Sequence, residues 1–173
     1  MRERTPRLAG HLVGDSYVSA GGFFTVSFPV SPEVGGRIIY DDSLSVTFRD
    51  NWGSRISFSS RPISPESPMM KVLQTQGRAK ALDTLVKDIY GNLIVPSYHP
   101  EILDGTVSFI YLRPVGPKTG VAAFIHGTRI YMVDTDLIPG VQLLSGSDDA
   151  SQQARDEWLE NRAVELLRTM QVK

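Results

Sequence analysis

The sequence predicts an α+β fold, an antiparallel sheet of about six or seven strands covered by two helices. Between Phe23 and Ser60, apolar and small polar side chains alternate with a period of two, as in strands that bury one face. Two later segments have helical spacing instead. Because the strands come in runs joined by short turns, the sheet is expected to be antiparallel. Each helix must bury an apolar stripe, and the sheet faces are the only large apolar surfaces available to it.

The first part of the chain supplies the clearest alternating strands. Gly14-Asp15 suits a tight turn and predicts a short hairpin between Leu8–Val13 and Tyr17–Ser19. Further strands are predicted, in chain order, at Phe23–Val30, Arg37–Asp41, Leu44–Arg49 and Arg55–Ser60. The polar, glycine-containing link at 50–53 has the composition of a hairpin loop between the last two strands.

A helix is predicted to begin at Pro68 and to end near Gly91. Ser67 is a suitable N-cap, and proline fits the first helical position. Gly77 is expected to dent this helix or to split it in two, at about 1 kcal/mol relative to alanine. The apolar stripe has i, i+3, i+4, i+7 spacing and consists of Leu82, Leu85, Val86 and Ile89.

The rest of the chain is predicted to hold an irregular stretch, three strands and a final helix. The segment 92–105 contains Pro96 and Pro100 and is expected to be the least regular region. Strands are predicted at Thr106–Arg113, Val121–His126 and Arg129–Asp134, the last two joined at Gly127-Thr128 as in a type II′ turn. Ser147 or Asp148 is expected to cap the final helix. Its apolar stripe consists of Leu159, Ala163, Leu166, Leu167 and Met170.

Length and charge limit the classes of protein and partner. A chain of 173 residues is long enough for one domain with a substantial core. We expect a basic tail and first strand at 1–16 and a single α+β domain at 17–173. The net charge of −1 gives no whole-molecule field that would favour nucleic acid or an anionic membrane. A nucleic-acid partner is therefore not expected.

Cysteine is absent, so disulfides, cysteine nucleophiles and thiolate metal sites are excluded. No run of about 18 apolar residues is present, and no membrane span is predicted. The charged N-terminus lacks the apolar stretch of a signal peptide. The cytoplasm is the default compartment, with a trimmed export signal left open.

Few side chains form patterns that point to catalysis or to metal binding. His99 or His126 would serve as a general base if an aspartate converged on it, and Asp134 or Asp136 is the candidate partner for His126. The acidic residues Asp41, Asp42 and Asp50 would suit a divalent cation, but turn formation explains them without one. No catalytic residue, cofactor or metal site is assigned.

The best candidates for an interaction are Arg49, Trp52 and Arg55, which surround the tip of a predicted hairpin. A cationic and aromatic surface can pair with an anionic ligand, and exposed aromatic side chains often anchor interfaces. A simpler explanation is that the arginines protect edge strands from aggregation while Trp52 covers a loop.

The pattern of strands and helices resembles the PsbP-like fold. The resemblance covers roughly Tyr17 to Lys173 and rests on YVSAGGFFTVSFP at 17–29, VTFRDNWGSRISF at 46–58, GTVSFIYL, AAFIHGTRIYMVDT and the final helix DEWLENRAVELLRTMQV. This α-β-α sandwich is found in extrinsic photosystem II subunits, a Ran-GTPase-binding nuclear-import factor and uncharacterised bacterial proteins. The resemblance implies a non-enzymatic accessory or binding role, and no site residue is carried over from it.

The sequence therefore favours a binding or accessory protein whose partner is another protein or a second copy of the chain. The contact surface is expected at the hairpin tip near Trp52 or in the irregular segment Ile94–Leu103. Two alternatives stay open. One is a hydrolase-like enzyme that uses His99 or His126 with an aspartate, and the other is a small-molecule sensor with an apolar cavity between sheet and helix.

Overall fold

A seven-stranded antiparallel sheet lies at the centre of the fold, and a smaller four-stranded sheet packs on one of its faces. The structure is a computed structural model and describes residues 9–27, 35–51, 53–136 and 149–173. The strands are β1 His11–Val13, β2 Ser16–Val18, β3 Phe24–Ser27, β4 Gly36–Asp41, β5 Ser45–Asp50, β6 Arg55–Pro62, β7 His99–Leu103, β8 Thr106–Leu112, β9 Thr119–His126, β10 Arg129–Asp136 and β11 Gln171–Val172. The large sheet has the order β4-β5-β6-β10-β9-β8-β7, and the small sheet the order β1-β2-β3-β11.

Three α-helices of the described residues cover the sheets: α1 Pro68–Gln76, α2 Arg78–Tyr90 and α3 Asp149–Thr169. The N-cap of α1 is Ser67, whose Oγ accepts a hydrogen bond of 3.2 Å from the Met70 amide. Gly77 divides α1 from α2 because its φ of 89° is a left-handed conformation that favours glycine. None of the helices in the described part of the chain has the length and hydropathy needed to cross a bilayer.

The large sheet buries apolar side chains on both of its faces. One face packs against α3 and the small sheet, where Phe48, Phe58 and Val133 are completely buried. The other face packs against α1 and α2, where Leu82 and Ile125 are almost fully inaccessible to solvent. The result is the predicted α-β-α sandwich, with the small sheet added to the α3 layer.

Helix α3 rests directly on β9 at Gly120. A Cβ atom added to Gly120 would lie 2.8 Å from the Leu159 carbonyl carbon and closer still to its oxygen. The stripe predicted for this helix is correct, since Leu159, Ala163, Leu166, Leu167 and Met170 are all buried. Only the absence of a side chain at Gly120 allows the helix to approach this closely.

The irregular segment predicted at 92–105 is wrong in its second half, because His99–Leu103 forms the edge strand β7. Asp104 and Gly105 have φ values of 50° and 80°, as in the type I′ turns that join tight hairpins. An edge strand tolerates Pro100, which cannot donate a backbone hydrogen bond. The predicted caps Ser147 and Asp148 lie outside the described residues, as does the end of the strand predicted to reach Val30.

Candidate binding groove

On the side of α1 and α2, no element of the described residues covers one half of the large sheet. Helix α2 packs against β8 and β9, so β4, β5 and β6 extend beyond it. The polar residues of the alternating pattern face this side and are half-buried: Ser45, Thr47, Ser57 and Ser59. The hydroxyls of Thr47 and Ser57 lie 2.8 Å apart across β5 and β6. A groove with a floor of hydroxyl groups therefore runs beside α2.

The main part of this groove encloses about 540 Å³ and has one apolar wall. Ile89 of α2 is 51% exposed, although it belongs to the predicted apolar stripe of its helix. Val115 and Tyr40 stand at the groove with 59% and 54% exposure. Large apolar side chains that stay in water beside a concave surface are typical of binding sites.

The groove continues into a charged end of about 460 Å³. The two parts share Thr47, Ser57, Arg113 and Asp134 in their linings, so they form one channel on the sheet face. The charged end also contains Asp136, Arg49 and Arg55. An extended ligand could therefore contact the apolar wall and the charged end at the same time.

Asp134 is a half-buried carboxylate in this charged end. Burial raises its pKa, Asp136 raises it further, and the guanidinium of Arg113 at 3.5 Å opposes both effects. The fold therefore favours the protonated form of Asp134 more than water does. A hydrogen-bond donor or a cation from a ligand would instead stabilise the carboxylate.

Three arginines form a row across adjacent strands at the charged end of the groove. Arg49 of β5 is opposite Arg37 of β4 on one side and Arg55 of β6 on the other. No salt bridge joins any of the three to a carboxylate of the described residues. Nε of Arg49 is buried and has no hydrogen-bond partner within the part of the chain that the structure describes. Like charges at directly opposite positions destabilise a sheet. We call Arg37, Arg49 and Arg55 the arginine row.

The structure brings together two of the three residues that the sequence singled out for interaction. Arg49 and Arg55 face the same end of the groove, whereas Trp52 lies outside the described residues. Sequence reasoning missed Arg113, which lines both parts of the groove, and Arg37, which lies beside Arg49 but outside the groove lining. The alternation of β4 and β5 was the available signal for Arg37, but its use required the register between the two strands.

The structure does not bring His126 together with Asp134 or Asp136, so that catalytic pairing is wrong. His126 is opposite Arg129 at one end of the β9–β10 hairpin, whereas Asp134 is opposite Val121 near the other end. His126 is on the same face of the sheet as its partner Arg129. Because Asp134 lies five residues after Arg129 on the same strand, its side chain points to the opposite face.

His99 has only local partners. Its Nδ1 lies 2.6 Å from the Ser97 carbonyl oxygen, and its Nε2 lies 3.9 Å from the Glu101 carboxylate. Neither contact is with an aspartate.

The acidic residues considered for a cation serve in turns and sheet contacts instead. Asp42 accepts hydrogen bonds from the Tyr40 hydroxyl and from the amides of Leu44 and Ser45, and these bonds lower its pKa.

The other two aspartates also have partners within the protein. Asp41 accepts a hydrogen bond from the Gly10 amide at 3.0 Å and another from the hydroxyl of Tyr17. Asp50 accepts from the Ser54 amide at 2.9 Å. Within the described segments, no three His, Asp or Glu side chains are grouped as metal ligands would be.

The comparison with solved structures identifies the fold. The solution structure of cyanobacterial PsbP (CyanoP) from Synechocystis sp. PCC 6803 matches with a TM-score of 0.50 over 95% of this chain and 98% of that one, at 14% sequence identity. The chain has a PsbP-like fold. A crystal structure from Bacteroides thetaiotaomicron VPI-5482 matches with a TM-score of 0.44 and 12% identity, over 94% of this chain and 49% of the other.

No protein-family profile matches this chain, and neither does any curated protein. The similarity to CyanoP at 14% identity is one of fold. The PsbP-like fold therefore supplies the arrangement of strands and helices, and the role of the groove must be argued from its own residues.

Proposed function

We propose that this PsbP-like protein is a non-enzymatic accessory or binding protein that holds a protein partner in the groove beside α2. The proposal is supported by the polar half of the sheet, which no described element covers. The exposed side chains of Ile89, Val115 and Tyr40 flank this surface. Interfaces combine an apolar centre with polar surroundings, and this groove has both. A partner would bury the apolar wall and hydrogen-bond to the hydroxyl floor.

The two alternatives have less support from the geometry. A hydrolase would need a histidine bonded to a carboxylate in one pocket. His126 and Asp104 both line a cavity of about 160 Å³ between the sheet and α3, but no hydrogen bond or salt bridge joins these two residues, and the groove lining contains no histidine among the described residues. A sensor would need an enclosed, mainly hydrophobic space, whereas this cavity and the groove are both open to solvent and about half polar. The cytoplasmic location and the division of the chain at residue 17 stay predictions.

Site-specific photo-crosslinking tests the proposal. A benzophenone amino acid is placed at Val115, which is 59% exposed at the groove, and in a separate variant at Val13, which is 58% exposed in the small sheet. We expect irradiation in the native cells to give a discrete protein adduct from position 115 and not from position 13. An adduct of about twice 19.1 kDa would identify a second copy of the chain as the partner.

A second substitution shows whether an adduct depends on the groove itself. Ile89→Arg places a charge on the apolar wall and should strongly reduce the adduct from position 115, while the fold is retained because Ile89 is already half in water. Equal adducts from positions 115 and 13, or none from 115, would refute the proposal.

A further inference from the structure

No carboxylate of the described residues is bound to the arginine row, although Asp134 and Asp136 line the same end of the groove. Some exposed basic residues of the described chain are paired, such as Lys87 with Asp83 at 2.8 Å and Lys118 with Asp156 at 2.6 Å, whereas Arg61 and Arg78 stand apart without a salt bridge to a described residue. The arginine row differs from these isolated side chains because its three arginines are direct neighbours across strands. In the arginine row, three guanidinium groups on adjacent strands face one side of the sheet with no carboxylate of the described residues bound to them. A row of this kind is stabilised when an external anion binds to it.

We propose that the arginine row binds a carboxylate side chain from an extended, acidic segment of the protein partner, whose apolar residues lie along the wall formed by Ile89 and Val115. This inference rests on the proposed function and specifies the partner's chemistry. Arginine pairs with carboxylates in a planar, bidentate geometry, and the exposed Arg55 lines the charged end of the groove, where a carboxylate can reach it. The hydroxyls of Thr47 and Ser57 lie in the same lining, and the one that accepts their mutual hydrogen bond keeps its own proton to donate to the carboxylate.

The other charges in the groove favour an isolated carboxylate over a polyanion. Asp134 and Asp136 line the same charged end and would repel the closely spaced phosphates of a nucleic acid. A single Asp or Glu side chain meets the arginines without bringing further negative charge next to these aspartates. The net charge of −1 also gives the molecule no long-range attraction for nucleic acid.

The shape of the site favours a polypeptide segment over a small free acid. The charged end is continuous with the part of the groove that Ile89 and Val115 border, because Thr47 and Ser57 line both. A small carboxylic acid would occupy the charged end alone and would leave these apolar side chains in water. An extended peptide fills both parts, with its acidic residue at one end and its apolar residues at the other.

The test is a selection from a library of random nonapeptides against the intact protein, in parallel with charge-reversal variants. We expect the wild-type protein to enrich peptides with Asp or Glu at one position and apolar residues on one side of it. Arg55→Glu should enrich Lys or Arg at that position instead. Arg78→Glu is the matched control, because Arg78 is an exposed arginine in the first turn of α2 and lies outside the groove lining. This control should retain the acidic preference.

Affinity and folding measurements make the outcome decisive. Arg55→Glu should lower the affinity for the best peptide selected with the wild-type protein by about 10- to 100-fold, as expected for loss of a charged hydrogen bond. Its unfolding temperature should equal or exceed that of the wild type, since one like charge leaves the row. Peptides selected without an acidic preference, or an unchanged preference in Arg55→Glu, would overturn the inference.

The same measurements separate this inference from the proposed function and from a nucleic-acid partner. A specific crosslink from Val115 together with selected peptides that lack acidic residues would retain groove binding and reject the carboxylate. A labelled single-stranded oligonucleotide is the third probe. If it bound and Arg55→Glu abolished its binding while no acidic peptide was selected, the arginine row would be a nucleic-acid contact, contrary to our inference.

Discussion

The close approach of α3 to β9 at Gly120 gives a quantitative prediction for Gly120→Ala. The added methyl group would lie 2.8 Å from the Leu159 carbonyl carbon, whereas ordinary van der Waals contact begins at 3.4 Å. Helix α3 would have to move by more than about 0.6 Å, because the carbonyl oxygen lies closer still to the added methyl group. The obstacle is backbone, so no rotation of a side chain can remove it.

The expected loss in the free energy of unfolding of Gly120→Ala is the difference between two opposing contributions. Overpacking of this kind costs about 1–3 kcal/mol, and the upper end applies here because α3 also loosens its contacts through Leu159 and Ala163. Replacement of glycine by alanine restricts the unfolded chain and offsets about 0.5 kcal/mol of this. The net loss in the free energy of unfolding is therefore about 2 kcal/mol or slightly more. For a chain of this size, it corresponds to a decrease in Tm of about 4–8 °C.

Urea denaturation followed by circular dichroism measures this loss. Gly116→Ala is the control, since Gly116 has a φ of 84° and open space around it, so its substitution costs about 1 kcal/mol of backbone strain alone. If Gly120→Ala were as stable as the wild type, or less destabilised than Gly116→Ala, α3 would not rest on β9 in the way described.

Two further predictions concern a hydrogen bond between sheets and the titration of the groove. Tyr17→Phe removes a buried hydroxyl that donates to Asp41 and should reduce the free energy of unfolding by about 1.5 kcal/mol in urea titrations. The exposed control Tyr40→Phe should change it by less than about 0.5 kcal/mol; equal losses would contradict this role for Tyr17. Because the pKa of Asp134 is raised mainly by burial, stability due to this group is lost as pH rises from the ordinary aspartate value through the raised one. We therefore expect the Tm of Asp134→Asn to rise relative to the Tm of the wild type as pH increases across that range. If thermal melts show no such relative increase by pH 7, the assignment is wrong.

The alternating pattern predicted the strands β3, β5, β6 and β10 because every second residue of these strands is buried. Val46 and Phe48 are fully buried, and the residues between them line the groove, as a period of two requires. The break at Gly77 followed from the conformational freedom of glycine. The strand β7 was not predicted because Pro100 is unfavourable in most strands. An edge strand accommodates proline, and Asp104-Gly105 favours the tight turn that joins β7 to β8.

The candidate site was only partly predictable, since it depends on which strands are neighbours. Arg49 and Arg55 flank a local hairpin, so the sequence could associate them before the register was known. Asp134 reaches the same groove through the pairing of β10 with β6, where it is opposite Ser57. That pairing joins segments far apart in the chain, and no local propensity encodes it.

The strand order of the large sheet has a consequence for how the protein folds. Strands β4–β6 form one set of consecutive antiparallel strands and β7–β10 form another, so each set contains only local pairings. A single seam between β6 and β10 joins the two sets, and Ser60 and Arg129 on either side of it are 69 positions apart. Closing this long connection costs more chain entropy than forming either set of hairpins. We therefore expect the pairing of β6 with β10 to limit the rate at which the native sheet forms. Asp134 comes next to the strands that bear Arg49 and Arg55 only after this pairing has formed.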